Sequence, residues 1–214
     1  MEDVLDQYAA PHDPEHPLVC MDEAAPQVLA DAAEPLPMAP GRPRREDYHY
    51  QRLGTRSLFL FVAPQVGWRR VSVRHSRTAV DWAEEMAELL LEDFPAAKTI
   101  RLVCDNLNTH HARSFYGAFE AVKARLLCRK VRLHFTPKNG SWLNAAEIEL
   151  SALQRQCLDQ RFESVRRFEE QIQAWVSERN EAGCKVRWLF RTEDARQKLS
   201  HLYPHPAPAE PVPN

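Results

Sequence analysis

Glycine is scarce in this chain, with 6 residues in 214. That scarcity argues against glycine-rich loops that cradle nucleotide phosphates, and neither a Gly-x-Ser-x-Gly elbow nor a His-Glu-x-x-His zinc motif is present. No stretch of about 18 apolar residues occurs, so no membrane span is expected. The five cysteines (Cys20, Cys104, Cys128, Cys157, Cys184) form no Cys-x-x-Cys pair, and the nine histidines, His110-His111 included, lack zinc-like spacing. Buried free thiols are therefore expected, rather than disulfides or a zinc site. The acidic start, Met1-Glu2-Asp3-Val4-Leu5-Asp6, lacks a signal-peptide pattern, which makes the cytoplasm the expected location. Charge of one sign is lacking too: a net charge of −2 does not announce a nucleic-acid binder.

What is there fits a globular protein, with 44% apolar and 27% charged residues and a length that suits one domain with tails. Basic residues cluster at Arg42-Pro43-Arg44-Arg45, at Arg69, Arg70, Arg74 and Arg77, and from Lys123 to Lys130. Such stripes can bind phosphates on a neutral protein, or they can be scattered solvated cations. Residues 1–16 read as a leader, poorly ordered or helical. Residues 17–22 read as a buried strand, and the Pro- and Ala-rich stretch 24–50 as a long excursion. Strands follow over 55–64 and 68–75, joined as a hairpin through Gly67, then a helix over 78–94 that Pro95 stops. A second buried strand covers 98–105, a helix 114–127, a strand 131–135, a turn-rich loop 136–141, and helices 144–157 and 165–180. The tail from Pro204, five prolines in eleven residues, is expected to be disordered, giving a proline-rich tail over 201–214. The order predicts an α/β sheet of mixed strand direction, with ligands beyond carboxyl strand ends.

Two apolar strands end on aspartate, Leu18-Val19-Cys20-Met21-Asp22 and Ile100-Arg101-Leu102-Val103-Cys104-Asp105, and Asn144-Ala145-Ala146-Glu147 opens a helix. If the strands are neighbours, Asp22 and Asp105 lie within metal-bridging reach, and Glu147 completes an oxygen cradle for divalent metal. Each acid also has a plain structural explanation. Aspartates often end strands at turns, and Glu147 stands at the capping-box offset from Asn144. Glu149 is the reserve third acid, but it lies about 200° around the helix from Glu147, so both cannot face one site. Asn106, Asn108, Thr109 and His110 could hold the Asp105 carboxylate or contact a phosphate, or form a polar turn. Lys138 and Ser141 are candidate phosphate contacts. Trp142 and Leu143 are expected to pack the helix start against the core.

Together these segments resemble the transposases of bacterial insertion sequences in the 630 family, relatives of mariner elements. The matching pieces are Val19-Cys20-Met21-Asp22-Glu23, Gly41-Arg42-Pro43-Arg44-Arg45, Val103 to His110, and Thr136 to Glu149, and the likeness spans roughly residues 17–200. The resemblance implies a ribonuclease-H-like catalytic domain, with a mixed five-stranded sheet flanked by helices and 24–50 as an insertion loop. It implies an acidic triad at Asp22, Asp105 and Glu147 that holds two Mg2+ ions, Mn2+ substituting. It further implies DNA strand cleavage and strand transfer, with element ends and target DNA as partners, Arg42, Arg44, Arg45, Asn106, His110, Lys138 and Ser141 as DNA contacts, and nucleoid association. Pairing of element ends implies a homodimer or association with full-length transposase. In many relatives the residue after the loop asparagine is proline, where this chain has Ala145. Only 21 residues precede Asp22, too few for a helix-turn-helix domain. The expectation is therefore a truncated copy, a catalytic half of a split reading frame, or a non-catalytic remnant that binds DNA or an intact transposase.

Overall fold

Runs of consecutive apolar residues become strands covered on both faces, as near-continuous hydrophobic strands require. The computed structural model describes residues 1–34, 38–43 and 47–203. Its elements are α1 (Glu2–Ala9), β1 (Leu18–Ala24), β2 (Gln27–Asp31), β3 (Tyr50–Thr55), β4 (Ser57–Ala63), β5 (Trp68–Arg74), α2 (Ala79–Glu88), β6 (Ile100–Cys104), α3 (Ala112–Ala118), α4 (Ala121–Lys130), β7 (Val131–Phe135), α5 (Ala145–Leu153), α6 (Val165–Glu181) and α7 (Thr192–Lys198). Single π-turns extend α2 over Leu89–Asp93 and α5 over Gln154–Leu158.

The main sheet has the order β5-β4-β1-β6-β7. β4 lies antiparallel to both β1 and β5, while β1, β6 and β7 are parallel. This is a mixed five-stranded sheet with helices on both faces, as expected for a ribonuclease-H-like domain. The period of two in each strand sorts side chains between two cores. Leu18, Cys20, Leu58, Leu60, Val62 and Val103 join residues of α5 and α6 on one face. Val19, Met21, Phe59, Phe61, Leu102 and Cys104 join Trp82, Met86, Phe115 and Leu127 of α2, α3 and α4 on the other. Cys20, Cys104 and Cys157 are buried free thiols.

Several expectations change. Residues 1–16 take the helical alternative: Val4 and Leu5 of α1 are fully buried in the first core. The 24–50 excursion is not wholly irregular, because β2 pairs antiparallel with β3 in a two-stranded ribbon of its own. The helix expected over 114–127 is two helices, broken where Phe119 turns extended (φ −131°, ψ 159°) and Glu120 begins α4. Gly117, a poor helix former, sits in the last turn before the break. α7 carries the polar sequence Thr-Glu-Asp-Ala-Arg-Gln-Lys with only Ala195 buried, so no apolar period announces it. The tail from Pro204 lies outside the described residues. Among the described residues, no helix is long and apolar enough to cross a membrane.

Candidate active site

The β1–β6 register brings the two aspartates together. Leu18 stands opposite Arg101, Val19 opposite Leu102 and Cys20 opposite Val103. Continued by two residues, the same parallel register sets Asp22 level with Asp105 at the carboxyl ends of neighbouring strands. Asp22 shares the face of Cys20, which is the α5 face.

α5 starts against this point and is pinned there by two side chains. Asn144 Oδ1 accepts from the Ala146 N–H (3.1 Å), while its Nδ2 donates to the Met21 carbonyl (2.8 Å) and reaches Asp22 Oδ2 at 3.4 Å. One buried asparagine therefore caps the helix and ties it to the end of β1. Tyr8 of α1 adds a second tie: its hydroxyl donates to the Leu143 carbonyl (2.8 Å) and accepts from the Ala145 N–H (2.9 Å). Leu143 is buried as expected, but Trp142 is 45% exposed rather than packed into the core.

Glu147 stands in the first turn of α5, on the side of the helix start that Asn144 ties to β1, and its charge acts on Asp22. Glu149 points away into the core. It is 1% exposed, lies 3.0 Å from Arg69 Nε, and accepts two bonds from Arg179 at 2.9 and 3.1 Å. Two arginines thus occupy Glu149, and Glu147 is the α5 acid whose charge acts on Asp22.

Burial and the nearby charges of Glu147 and Asp105 push the Asp22 carboxyl up from 3.8 to about 7. On the opposite face His110, 1% exposed, stacks on Trp82 (5.5 Å). Its Nε2 lies 3.1 Å from Glu23 Oε1, and its Nδ1 lies 2.7 Å from Asp105 Oδ1 and 3.2 Å from the Asp105 carbonyl. Burial opposes the imidazolium, but hydrogen bonds to Asp105, Cys104 and Glu23 outweigh it and push His110 up to about 12. Because Glu23 follows Asp22 on a strand, the two acids point to opposite faces. One serves the site and the other braces it through His110.

The candidate DNA contacts fare unequally. Asn106, Lys138 and Ser141 line one groove of about 510 Å³ that Asp105 also lines. His110 is corrected: it is buried behind Asp105 and holds that carboxylate, out of reach of a phosphate. Arg42 is exposed in a turn closed by backbone bonds with Ala39, while Arg44 and Arg45 lie outside the described residues. The stripe at Arg69, Arg70 and Arg74 is also corrected. Arg69 pairs with Glu149, Arg70 with Glu85, Glu88 and Asp93, and Arg74 with Asp81, Glu84 and Glu85, so these cations hold α2 and α5 to the sheet. The sequence did not reveal Glu23 and Tyr8 as supports. The position of Glu23 next to Asp22 on a strand was the available signal, and for Tyr8 there was none.

Among the described residues, no three His, Cys, Asp or Glu side chains stand drawn together in ready-made metal-holding geometry. The chemistry of the donor set nonetheless fits a hard divalent cation. Asp22, Asp105 and Glu147 offer only oxygen, the choice of Mg2+ and Mn2+. Their mutual repulsion is the kind of strain that a bound cation relieves.

With this geometry in view, the relatives are informative. Residues 17–169 match the family described as DDE superfamily endonuclease. No curated protein matches the chain. The fold is similar to that of the Mos1 transposase paired-end complex with left transposon end (TM-score 0.52, 17% identity, 76% of this chain and 48% of that one). It is similar also to the Mos1 mariner paired-end complex with Mn (TM-score 0.55, 18% identity, 85% and 55%) and to the Mos1 strand transfer complex (TM-score 0.54, 17% identity, 81% and 50%). The chain spans about half the length of these structures. The family match covers most of the chain, including both aspartate-ended strands and the first turn of α5, and the chain therefore belongs to the DDE superfamily of endonucleases.

Proposed function

We propose that this chain is the catalytic domain of a transposase of the insertion-sequence 630 family, cutting DNA strands at element ends and joining the freed 3′ ends to target DNA. The observation that carries this reading is the β1–β6 register, which sets Asp22 level with Asp105 at neighbouring strand ends, beside the first turn of α5 that bears Glu147 and that Asn144 ties to β1. The kinship to Mos1 complexes with paired transposon ends, with Mn and with Mg supports the choice of DNA, of two Mg2+ (or Mn2+) ions and of a dimeric or transposase-bound assembly.

Asp22, Asp105 and Glu147 would hold the ions. Divalent metal bound there supplies an activated water and stabilises the departing 3′ oxygen. The chain's own part is orientation. The Glu23–His110 brace fixes the Asp105 carboxylate from behind. Asn144 and Tyr8 fix the start of α5, and with it Glu147. Asn106, Lys138 and Ser141 border the site along one groove, where they would contact the DNA backbone near Asp105. No side-chain nucleophile is required.

The test is Mg2+- or Mn2+-dependent nicking of supercoiled plasmid at low salt, with joined strands scored beside nicks. The wild-type chain nicks and Asp105→Asn does not. Equal nicking by the Asn form would sink the assignment, and nicks without joined products would reduce the function to endonuclease cleavage.

A further inference from the structure

The geometry points to a second phosphodiester-binding surface on the segment that follows α6, and we propose that it guides a DNA strand toward the triad. Residues 184–190 belong to no helix or ladder, yet their burial alternates. Cys184, Val186, Trp188 and Phe190 are half-buried, while Lys185, Arg187, Leu189 and then Arg191 are exposed. Three contacts fasten the inward side. The Val186 N–H donates to the Pro64 carbonyl (3.0 Å), Trp188 stacks on Tyr8 (4.4 Å), and Phe190 packs edge-on against Trp142 (5.7 Å).

The outward side is cationic. Arg69, Arg70, Arg74, Arg161, Arg179 and Arg196 are all held by carboxylates. Among the described residues, Lys185, Arg187 and Arg191 form no ion pair. Asp194, three residues beyond Arg191, accepts the Arg191 backbone N–H. The three cations line one cavity of about 340 Å³ together with Tyr8, His12, Gln65 and Trp188. Three unpaired cations spaced along one extended segment suit a chain of phosphates.

The position of this cavity decides the ligand. Tyr8, on its wall, bonds the residues either side of Asn144. Phe190, at the end of the cationic segment, touches Trp142, the neighbour of Ser141 in the groove that Asp105 lines. The cationic segment therefore runs up to the loop that opens α5. A strand laid along the segment is led from the Pro64 end of the sheet toward that loop, and a polymer with one negative charge per nucleotide suits a row of three cations better than an isolated phosphate. The proposal rests on the transposase reading only for the identity of the polymer as DNA.

The experiment is fluorescence anisotropy of a labelled duplex with the full chain, in EDTA, between about 50 and 200 mM salt. Lys185→Ala/Arg187→Ala/Arg191→Ala should weaken binding at least tenfold and flatten the slope of log K against log salt by about 2–3, near 0.9 per phosphate contact. The control triple Lys123→Ala/Arg125→Ala/Arg129→Ala, which removes the same charge from α4, should change both far less. Thermal melting checks the fold, and Lys185→Gln/Arg187→Gln/Arg191→Gln replaces the first triple if it melts early. Equal losses from both triples would reduce the effect to net charge and overturn the proposal, as would no loss from the first. Loss of polyglutamate binding with DNA binding intact would reassign the surface to an acidic protein and overturn it as well. Because the assay contains no metal and scores no cleavage, its outcome is independent of whether the chain nicks plasmid, and the two readings fail separately.

Discussion

At the scale of residues, Glu23, Glu147 and Glu149 all lie near the acidic site, and packing gives each a different task. Glu149 answers two arginines, so Glu149→Gln should lower stability by about 3–5 kcal/mol, the cost of breaking a buried pair. Denaturant melts would read that loss, while affinity for Mn2+ stays unchanged. Glu23 works through His110. His110→Gln should therefore weaken Mn2+ binding on the order of 10- to 100-fold, as loss of a carboxylate–histidine support does, with secondary structure intact by circular dichroism. Asp22 makes a pH prediction. Its carboxyl sits at about 7 in the fold against 3.8 ordinarily, so the folded state holds that proton more tightly than the unfolded chain. The resulting stabilisation of metal-free protein is full below about pH 4 and is lost as pH rises through about 7, on the order of 2–4 kcal/mol. Urea midpoints in EDTA at a series of pH values would show this, and Asp22→Asn should flatten the trend. Asp22 and Asp105 were legible in sequence because an acid closing a buried apolar strand projects at the sheet end. Arg69, Arg70 and Arg74 misled because a charge cluster in sequence does not reveal which carboxylates the fold brings to it.

At the scale of elements, α5 owes its position both to its buried face of Ala145, Ala146, Ala152 and Leu153 and to Asn144. The N-cap was readable from sequence, but its second bond, across 123 residues to Met21, was not. Asn144→Ala should cost more than the roughly 1 kcal/mol of a lost cap, because the Met21 carbonyl also loses its partner. The same change should impair cleavage beyond its effect on the melting temperature, since Glu147 rides on that helix. Periodicity identified β1, β4, β5, β6, β7 and α6 because each has an apolar pattern of its own. It missed the β2–β3 ribbon, whose strands are separated by residues 32–49: β2 buries only Val28 and Ala30 and β3 lies largely exposed, so pairing more than an apolar pattern defines them. It missed α7 for the related reason that a helix burying one alanine leaves no stripe to read.

At the scale of the whole molecule, a sheet sealed on both faces leaves its carboxyl strand ends as the natural place for a polar site, and three distant segments of chain converge there. The fold class was legible because the order of elements restricts the possible sheets, and the family resemblance sharpened it to a ribonuclease-H-like one. The candidate site was legible only as far as the two strands that end on Asp22 and Asp105, because the braces from α1, from Glu23 and from His110 arise from packing across the sheet. The central claim is that β1, β6 and α5 deliver one acid each to a common metal site. Mn2+ binding followed by electron paramagnetic resonance tests it most directly, on wild-type chain and on Asp22→Asn, Asp105→Asn, Glu147→Gln and Glu149→Gln. At least tenfold weaker binding is expected for each of the first three, and wild-type affinity for Glu149→Gln. Unchanged binding in any of the first three, or a loss confined to Glu149→Gln, would contradict that claim.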